Sequence, residues 1–407
     1  MSSEAVSGAE FDPWSPEFVA DPYPAYAALR ERGRAHWFER SQQWLIPRYA
    51  DVSALLRDRR LGRTYLHRFT HEEFGQTPPP AGQEPFHTLN DHGLLELEPP
   101  DHTRIRRLVG KAFTPRTVER LAPTVRRLAE GLVDDLAADG GGDLIERIAE
   151  PLPVAVIAEM LGIPVADRPL LRPWSADICG MFELNPREET ARRAVRASEE
   201  FSAYLRELIA VRRRAPGEDL ISALIAAHDA EDRLSEQEMI STCVLLLNAG
   251  HEATVGTTGN GWWSLFRNPG ELARLRADPG LLPGAVEELM RFDTPLQMFE
   301  RWVLDDIEVG GTTIPRGAEV ALLFGSANRD PARFADPDRL DLGRRDNPHL
   351  SFGAGIHYCL GAPLARVELA ASFGALLRRA PTLRLAAEPQ WRSGYVIRGL
   401  RELWVEV

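Results

Sequence analysis

Residues 350–361 read LSFGAGIHYCLG, and in that run Phe352, Gly355, Cys359 and Gly361 fall in the spacing F-x-x-G-x-x-x-C-x-G. A cysteine set among glycines in this way suits a thiolate that ligates a metal. The sulfur's charge needs stabilising without bulky neighbours around it. Gly353 and Gly355 let the backbone turn tightly and come close to a flat group. Gly361 leaves room after the cysteine, so that backbone N–H groups point at the sulfur. A helix predicted to start here, with Pro363 in its first turn, brings its positive end to the thiol, which lowers the thiol pKa and favours thiolate. On the residues alone two other readings stay open: an inert buried cysteine, or a nucleophile with His357 as base and no evident Asn or Asp orienter. Cys179 and Cys243 read as packing residues.

Three further clusters carry chemistry. Glu288 and Arg291, in ELMR, stand three apart and share a helix face, as an ion pair would. In DHTRIRRLVGKAF, His102 and Arg106 stand four apart on one face, and Arg107 points elsewhere. In LLLNAGHEATVG, residues 245–256, an Asn, a His and a Glu interrupt an apolar run. Gly250 there costs a helix interior up to about 1 kcal/mol, which suggests that space is needed at that point. His251 reads as part of a polar stripe.

The elements that position these residues are mostly helices. A short helix opens at Asp21-Pro22-Tyr23-Pro24, and a strand at 43–47 precedes a helix over 51–58. Three consecutive prolines make 75–87 a loop. Residues 101–139 are helical with a break at Thr114-Pro115, ended by Gly140-Gly141-Gly142. Ser235-Glu236-Gln237-Glu238 has the form of a capping box, and the helix it starts reaches about residue 266. Residues 307–323 switch to short strands with turns. A last long helix follows Cys359 to about residue 379, and short strands finish the chain. The fold class is mainly α with a minor antiparallel β part. Residues 1–10 read as a flexible tail and 11–407 as a single large domain.

The 407 residues are 44% hydrophobic and 27% charged, an ordinary globular composition. A net charge of −12 argues against nucleic acid as a partner, since phosphate binding needs clustered Lys and Arg. Three widely spaced cysteines with no Cys-x-x-Cys exclude a disulfide framework and weaken zinc or iron–sulfur readings. The N-terminus lacks the features of a signal peptide, and no apolar stretch of about 18 residues exists to span a membrane. A reducing cytoplasm is the expected location, and a monomer the expected state.

Together the cysteine loop, the E-x-x-R and the central-helix motif resemble the cytochrome P-450 family in its soluble bacterial class, from about Asp21 to the C-terminus. The resemblance implies a b-type haem between the long oxygen-site helix and the cysteine-loop helix. Cys359 is then the axial ligand, in a loop that also includes Phe352, Gly353 and Gly361. An electron-rich thiolate favours O–O cleavage. It implies that His102, Arg106, Arg301 and His357 hold the haem propionates, and that Glu288, Arg291 and Arg339 form a buried network behind the loop. It implies that Ala249 and Gly250 pass over the haem and that Glu252 delivers protons. The family's usual Thr is replaced by Ala253, and Thr254, about 100° further round the helix, does not simply substitute. Pocket walls are expected from 78–95, 172–185 and 296–299, with Met181, Phe182, Leu296, Met298 and Phe299 making the site apolar for a small organic substrate.

The implied activity is insertion of one oxygen atom from O2. No G-x-G-x-x-G follows a strand, so electrons come from another protein; the resemblance implies a ferredoxin and its reductase, with Arg104, Arg107 and Lys111 as candidate basic contacts. Ala253 leaves open an oxidative coupling or another atypical oxidation. A peroxide-driven enzyme would carry an arginine in the central helix, where this chain has Glu252-Ala253. A non-catalytic haem sensor and a cysteine hydrolase are the remaining rivals.

Overall fold

Ser235 caps the longest helix. Its hydroxyl accepts from the Glu238 N–H at 3.2 Å, and Glu238 Oε2 accepts from the Ser235 N–H at 2.7 Å. In the computed structural model, which describes residues 10–229 and 232–407, this helix runs Glu236–Arg267. At 1.5 Å per residue it is about 48 Å long. A helix with apolar residues on most of its faces belongs in a core. Accordingly, helices Pro151–Leu161, Leu171–Cys179, Glu188–Arg214 and Ala362–Arg379 all pack on it. Helix Pro115–Ala138 covers the outer face of Ala362–Arg379. The break expected at Thr114-Pro115 is a helix boundary: Thr114 caps the second helix and Pro115 occupies its first turn.

The five-stranded sheet takes the order His36–Phe38, Gln43–Ile46, Glu319–Leu322, Phe299–Val303, Leu61–Gly62. Gln43–Ile46 and Glu319–Leu322 pair in parallel, and the other pairs are antiparallel. Val320 stands opposite Arg301, which fixes the height of Arg301 on the sheet. Strands Ile307–Val309 and Thr312–Ile314 form the expected hairpin, whereas Phe299–Val303 goes beyond the sequence reading.

Three local expectations need correction. The loop over 75–87 gives way at Glu84 to a helix, Glu84–Asp91, because Phe86 and Leu89 share a buried face and Pro85 suits the first turn. The helix expected over 51–58 is Tyr49–Leu55. The triple glycine does more than end a helix: Gly141–Asp143 pairs with Trp404–Glu406, and a Cβ on Gly141 would meet Val405 O at 2.2 Å. The expected tail, residues 1–10, lies outside the described residues except for Glu10. Among the described residues no helix is long and apolar enough to cross a membrane.

Candidate active site between Cys359 and the central helix

The cysteine loop is built as its glycines require. Gly353 and Gly355 have φ of +67° and +72°, the left-handed region that L side chains avoid. Gly355 also lies against the end of helix Tyr49–Leu55, where a Cβ would meet Leu56 O at 2.3 Å. The loop closes with Cys359 N donating to Phe352 O at 3.0 Å. Helix Ala362–Arg379 starts immediately, with Pro363 in its first turn. The Gly361 and Ala362 N–H groups reach the Cys359 sulfur. Burial nevertheless raises the thiol above its ordinary value, and those amides, Arg106 and Arg366 offset this only in part. The helix end therefore does not by itself deliver the expected thiolate. Desolvation of the charged form outweighs it.

Helix Leu282–Phe292 holds the loop from behind. Glu288 and Arg291 are fully buried and doubly hydrogen-bonded at 2.8 Å. The third member of this network is Arg344, 3.1 Å from Glu288 Oε2, and not Arg339. Arg339 is exposed and offers only its carbonyl, to Arg291 and Arg344. A turn from Asp341 to Arg344 points the later arginine inward. Ser351 donates to Met290 O at 2.8 Å, and Arg366 binds Glu287 at 2.6 Å, so both ends of the loop are tied to this helix.

Midway along its length the central helix changes character. It is buried nearly throughout, yet Leu245 and Ala253 are partly accessible and Ala249 is exposed. These three are four apart, so they form one stripe along one face. An accessible stripe on a core helix marks an internal space. Glu252 and Thr254 are buried away from it. Thr254 is thus not brought to the stripe, as expected, and the Thr257 hydroxyl bonds the Ala253 carbonyl at 2.8 Å.

Glu252 faces a second, polar cavity of about 260 Å³, lined by Glu150, Arg172, Ala176, His251, Glu252, Arg392 and Arg401. Arg392 bridges Glu252 at 2.6 Å and Glu150 at 3.0 Å, and Arg172 also pairs with Glu150. His251 is buried, with Nδ1 3.4 Å from Ser175 Oγ and 3.5 Å from Glu252 Oε1, while Nε2 has no partner. Burial lowers its pKa below the ordinary value. Arg392, Glu150 and Arg172 escape sequence reasoning because each comes from a different distant element.

Beside the cysteine loop a cluster of histidines and arginines forms. His102 and His357 pack with ring centroids 4.5 Å apart, and Arg106 reaches Tyr358 O at 2.7 Å. His357 Nε2 lies 3.2 Å from Glu98, an acid the sequence reading overlooked. Both ring nitrogens of His102 are buried without a partner, and burial, then His357 and Arg106, push its pKa down to about 4. Arg301 is 3% exposed and makes one hydrogen bond, to the carbonyl of its neighbour Glu300. Burial, then Arg63, push its pKa down to about 9. Buried polar groups are normally satisfied, so an orphaned histidine, and a guanidinium that stacks on Phe299 at 4.6 Å with a single carbonyl acceptor, call for acceptors from outside the chain. Two carboxylates meet that need, and a metal bound at Cys359 offsets burial of the thiol. The donor set therefore fits a haem, with Cys359 to hold its iron and His102, Arg106, Arg301 and His357 to hold its propionates.

Among the expected pocket residues, Met181, Phe182, Leu296 and Phe299 are half-buried. Met298 is not a wall: it is fully buried, in a cluster with Tyr26, Leu45 and Tyr395. Cys179 and Cys243 are buried, as expected of packing residues. On the outer face behind Cys359, Arg104 is committed to ion pairs with Asp232 and Glu238, which removes it from the expected basic contacts. Arg107 is exposed and pairs with Asp232 at 3.5 Å.

The sequence model of the family Cytochrome P450 matches residues 175–380. The chain is 42% identical over 397 residues to cytochrome P450 monooxygenase PikC of Streptomyces venezuelae, covering 95% of this chain and 91% of that protein. It is 39% identical over 407 residues to polyketide biosynthesis cytochrome P450 PksS of Bacillus subtilis (strain 168), covering 98% of each. The fold matches the structure of P450BioI in complex with a hexadec-9Z-enoic acid ligated acyl carrier protein. The TM-score is 0.90 at 35% identity, over 97% of this chain and all of that one.

Proposed function

The chain belongs to the cytochrome P450 family, and from that premise we propose how its own residues serve the chemistry. It is a haem-thiolate monooxygenase with haem b as cofactor. The haem, when bound, supplies reductive activation of O2 and transfer of one oxygen atom to an organic molecule. The reading of the site rests on one observation: beside the cysteine loop, His102 packs on His357 with both buried ring nitrogens unpartnered, and Arg301 is buried with a single backbone acceptor.

In this reading Cys359 Sγ would hold the haem iron, itself kept in place by the Phe352–Cys359 closure and the Gly361 and Ala362 N–H groups. His102, Arg106, Arg301 and His357 orient the cofactor through its propionates. The Glu288–Arg291–Arg344 network fixes the loop behind it. Ala249 would leave space for the cofactor, whereas Gly250, expected to do the same, admits the neighbouring helix instead, since a Cβ there would stand 3.1 Å from Ile157 Cδ1. Glu252 takes protons at its carboxylate from the polar cavity, where Arg392 holds it. Ala253 has no hydroxyl, so the last transfer passes to a water or to a hydroxyl of the substrate on the stripe side. The same observation supports a second reading, an oxidative coupling that depends less on this relay.

Substrate enters over half-buried Met181, Phe182, Leu296 and Phe299, which suit a mainly apolar organic molecule. The polyketide biosynthesis for which the Bacillus relative is named supports a substrate from specialised metabolism. Electrons come from a ferredoxin and its reductase in the cytoplasm, docking behind Cys359 near Arg107 and Lys111.

The test is the absorption spectrum of the reduced protein under carbon monoxide. A Soret band strongly red-shifted, as a thiolate-ligated haem gives, and lost in Cys359→Ala is expected. Well-folded, haem-reconstituted protein without that band overturns the assignment.

A further inference from the structure

We propose that Glu183 is a positioning residue that clasps the chain between helices Leu171–Cys179 and Glu188–Arg214 to the 395–397 turn, which is bonded to the residues just before the strand bearing Arg301, and so sets the wall of the substrate chamber. The proposal rests on the reading above that Met181 and Phe182 border that chamber.

Glu183 lies just after the helix turn Gly180–Phe182, in extended backbone with ψ of 155°. Its carboxylate is reached by three successive backbone N–H groups from the far end of the chain. Tyr395 and Val396 donate to Oε2 at 2.8 and 3.0 Å, and Ile397 donates to Oε1 at 3.0 Å. Successive amides turned toward one anion form a concave nest, and hydrogen bonds to a charged acceptor are about twice as strong as neutral ones. A second feature shows that the approach is built in. A Cβ on Gly394 would stand 2.7 Å from Glu183 Oε1 and 3.0 Å from its carboxyl carbon, so a side chain there would push the carboxylate off its three amides. Asn185, at φ of +53°, then turns the chain into the next helix. Asn is among the few residues that tolerate that conformation.

The receiving turn is itself stitched to the site. Gln297 N donates to Val396 O at 3.0 Å, Arg398 N donates to Pro295 O at 2.8 Å, and Leu296 bridges Ile397. Gln297 Oε1 accepts from Tyr26, whose hydroxyl also meets that of Tyr395 at 2.8 Å. Two residues after Gln297 the strand Phe299–Val303 begins, and it carries Arg301. Leu184 packs in the same apolar cluster as Leu296, Tyr395 and Val396. Glu183 is thus the polar tie across an otherwise apolar seam. With it closed, Met181 and Phe182 take their position from the 395–397 turn, which is itself bonded to residues 295–297 just before the strand that holds Arg301. With it open, the segment is held by apolar contacts alone, which are not directional.

The experiment uses the haem-loaded enzyme and 4-phenylimidazole, a neutral ligand that coordinates haem iron and is read by its spectral shift. Glu183→Ala removes the acceptor. Gly394→Ala keeps it and blocks its approach. Losing a charge-assisted tie of this kind shifts an opening equilibrium by about tenfold or more. Both variants are expected to speed hydrogen exchange of the 395–397 amides, and to raise the association and dissociation rates of 4-phenylimidazole together by about tenfold. Its equilibrium affinity changes less than either rate. Glu183→Gln, which keeps the shape and one strong acceptor, gives an intermediate result and carries the test if Glu183→Ala does not take up haem. Ligand rates unchanged from wild type overturn the clasp, whether or not the exchange rises. A wild-type protein with no spectral shift overturns the haem reading instead, and the exchange data separate the two.

Discussion

Removing haem should make stability depend on pH through His102, and haem should suppress that dependence. His102 is buried beside His357, Arg106 and Glu98, and its pKa is lowered from 6.5 to about 4. The unfolded chain therefore binds a proton that the folded chain refuses. Stability contributed by the neutral imidazole is complete above pH 6.5 and is lost as pH falls toward 4. Between pH 8 and pH 5 linkage puts the loss at about 2 kcal/mol, and at about 3 kcal/mol once pH falls below 4. Denaturant unfolding of haem-free wild type and His102→Gln at pH 8 and pH 5 reads this difference directly, because groups common to both proteins cancel. If the propionates lie against His102, they favour its charged form, and the wild-type slope flattens in the haem-loaded protein. Parallel pH profiles for wild type and His102→Gln without haem refute the burial argument. An unchanged slope on haem loading refutes the placement of the propionates.

The network behind the loop separates two arginines of similar sequence position. Arg344→Ala leaves part of a fully buried carboxylate uncompensated and should cost about 3 kcal/mol or more in denaturant unfolding, whereas Arg339→Ala, which removes only an exposed side chain, should cost within about 0.5 kcal/mol. Equal losses would restore Arg339 to the network. Ala253→Thr places a hydroxyl on the accessible stripe. If a substrate hydroxyl already serves there, product formed per electron consumed should not improve and the rate should fall. Improved coupling at unchanged rate rules out substrate assistance.

The central helix and the cysteine loop are legible because their signals are local. A capping box fixes one helix start, and three glycines around one cysteine fix the loop, each within a few residues. Arg301 is harder: its strand has only five residues, and its role depends on being buried with almost nothing to bind, which no pattern encodes. Arg344 displaces Arg339 for a similar reason. Either arginine reaches Glu288 in an extended chain, and only the turn at Asp341–Arg344 decides between them.

The proton side of the site shows the limit most clearly. From sequence, Glu252 is an acid next to a missing threonine, and the natural inference concerns what replaces the hydroxyl. The fold shows that the carboxylate is already spoken for by Arg392, 140 residues later in the chain. Arg392 is in turn shared with Glu150. That carboxylate must let go of its guanidinium partner, or pass its proton through water in the cavity, to serve the other side of the helix. The demand that Ala253 places on this chain therefore falls first on the ion pairs of the polar cavity. His251 lines the same cavity, with Nδ1 3.5 Å from Glu252 Oε1, so a rearrangement of those ion pairs reaches the imidazole as well.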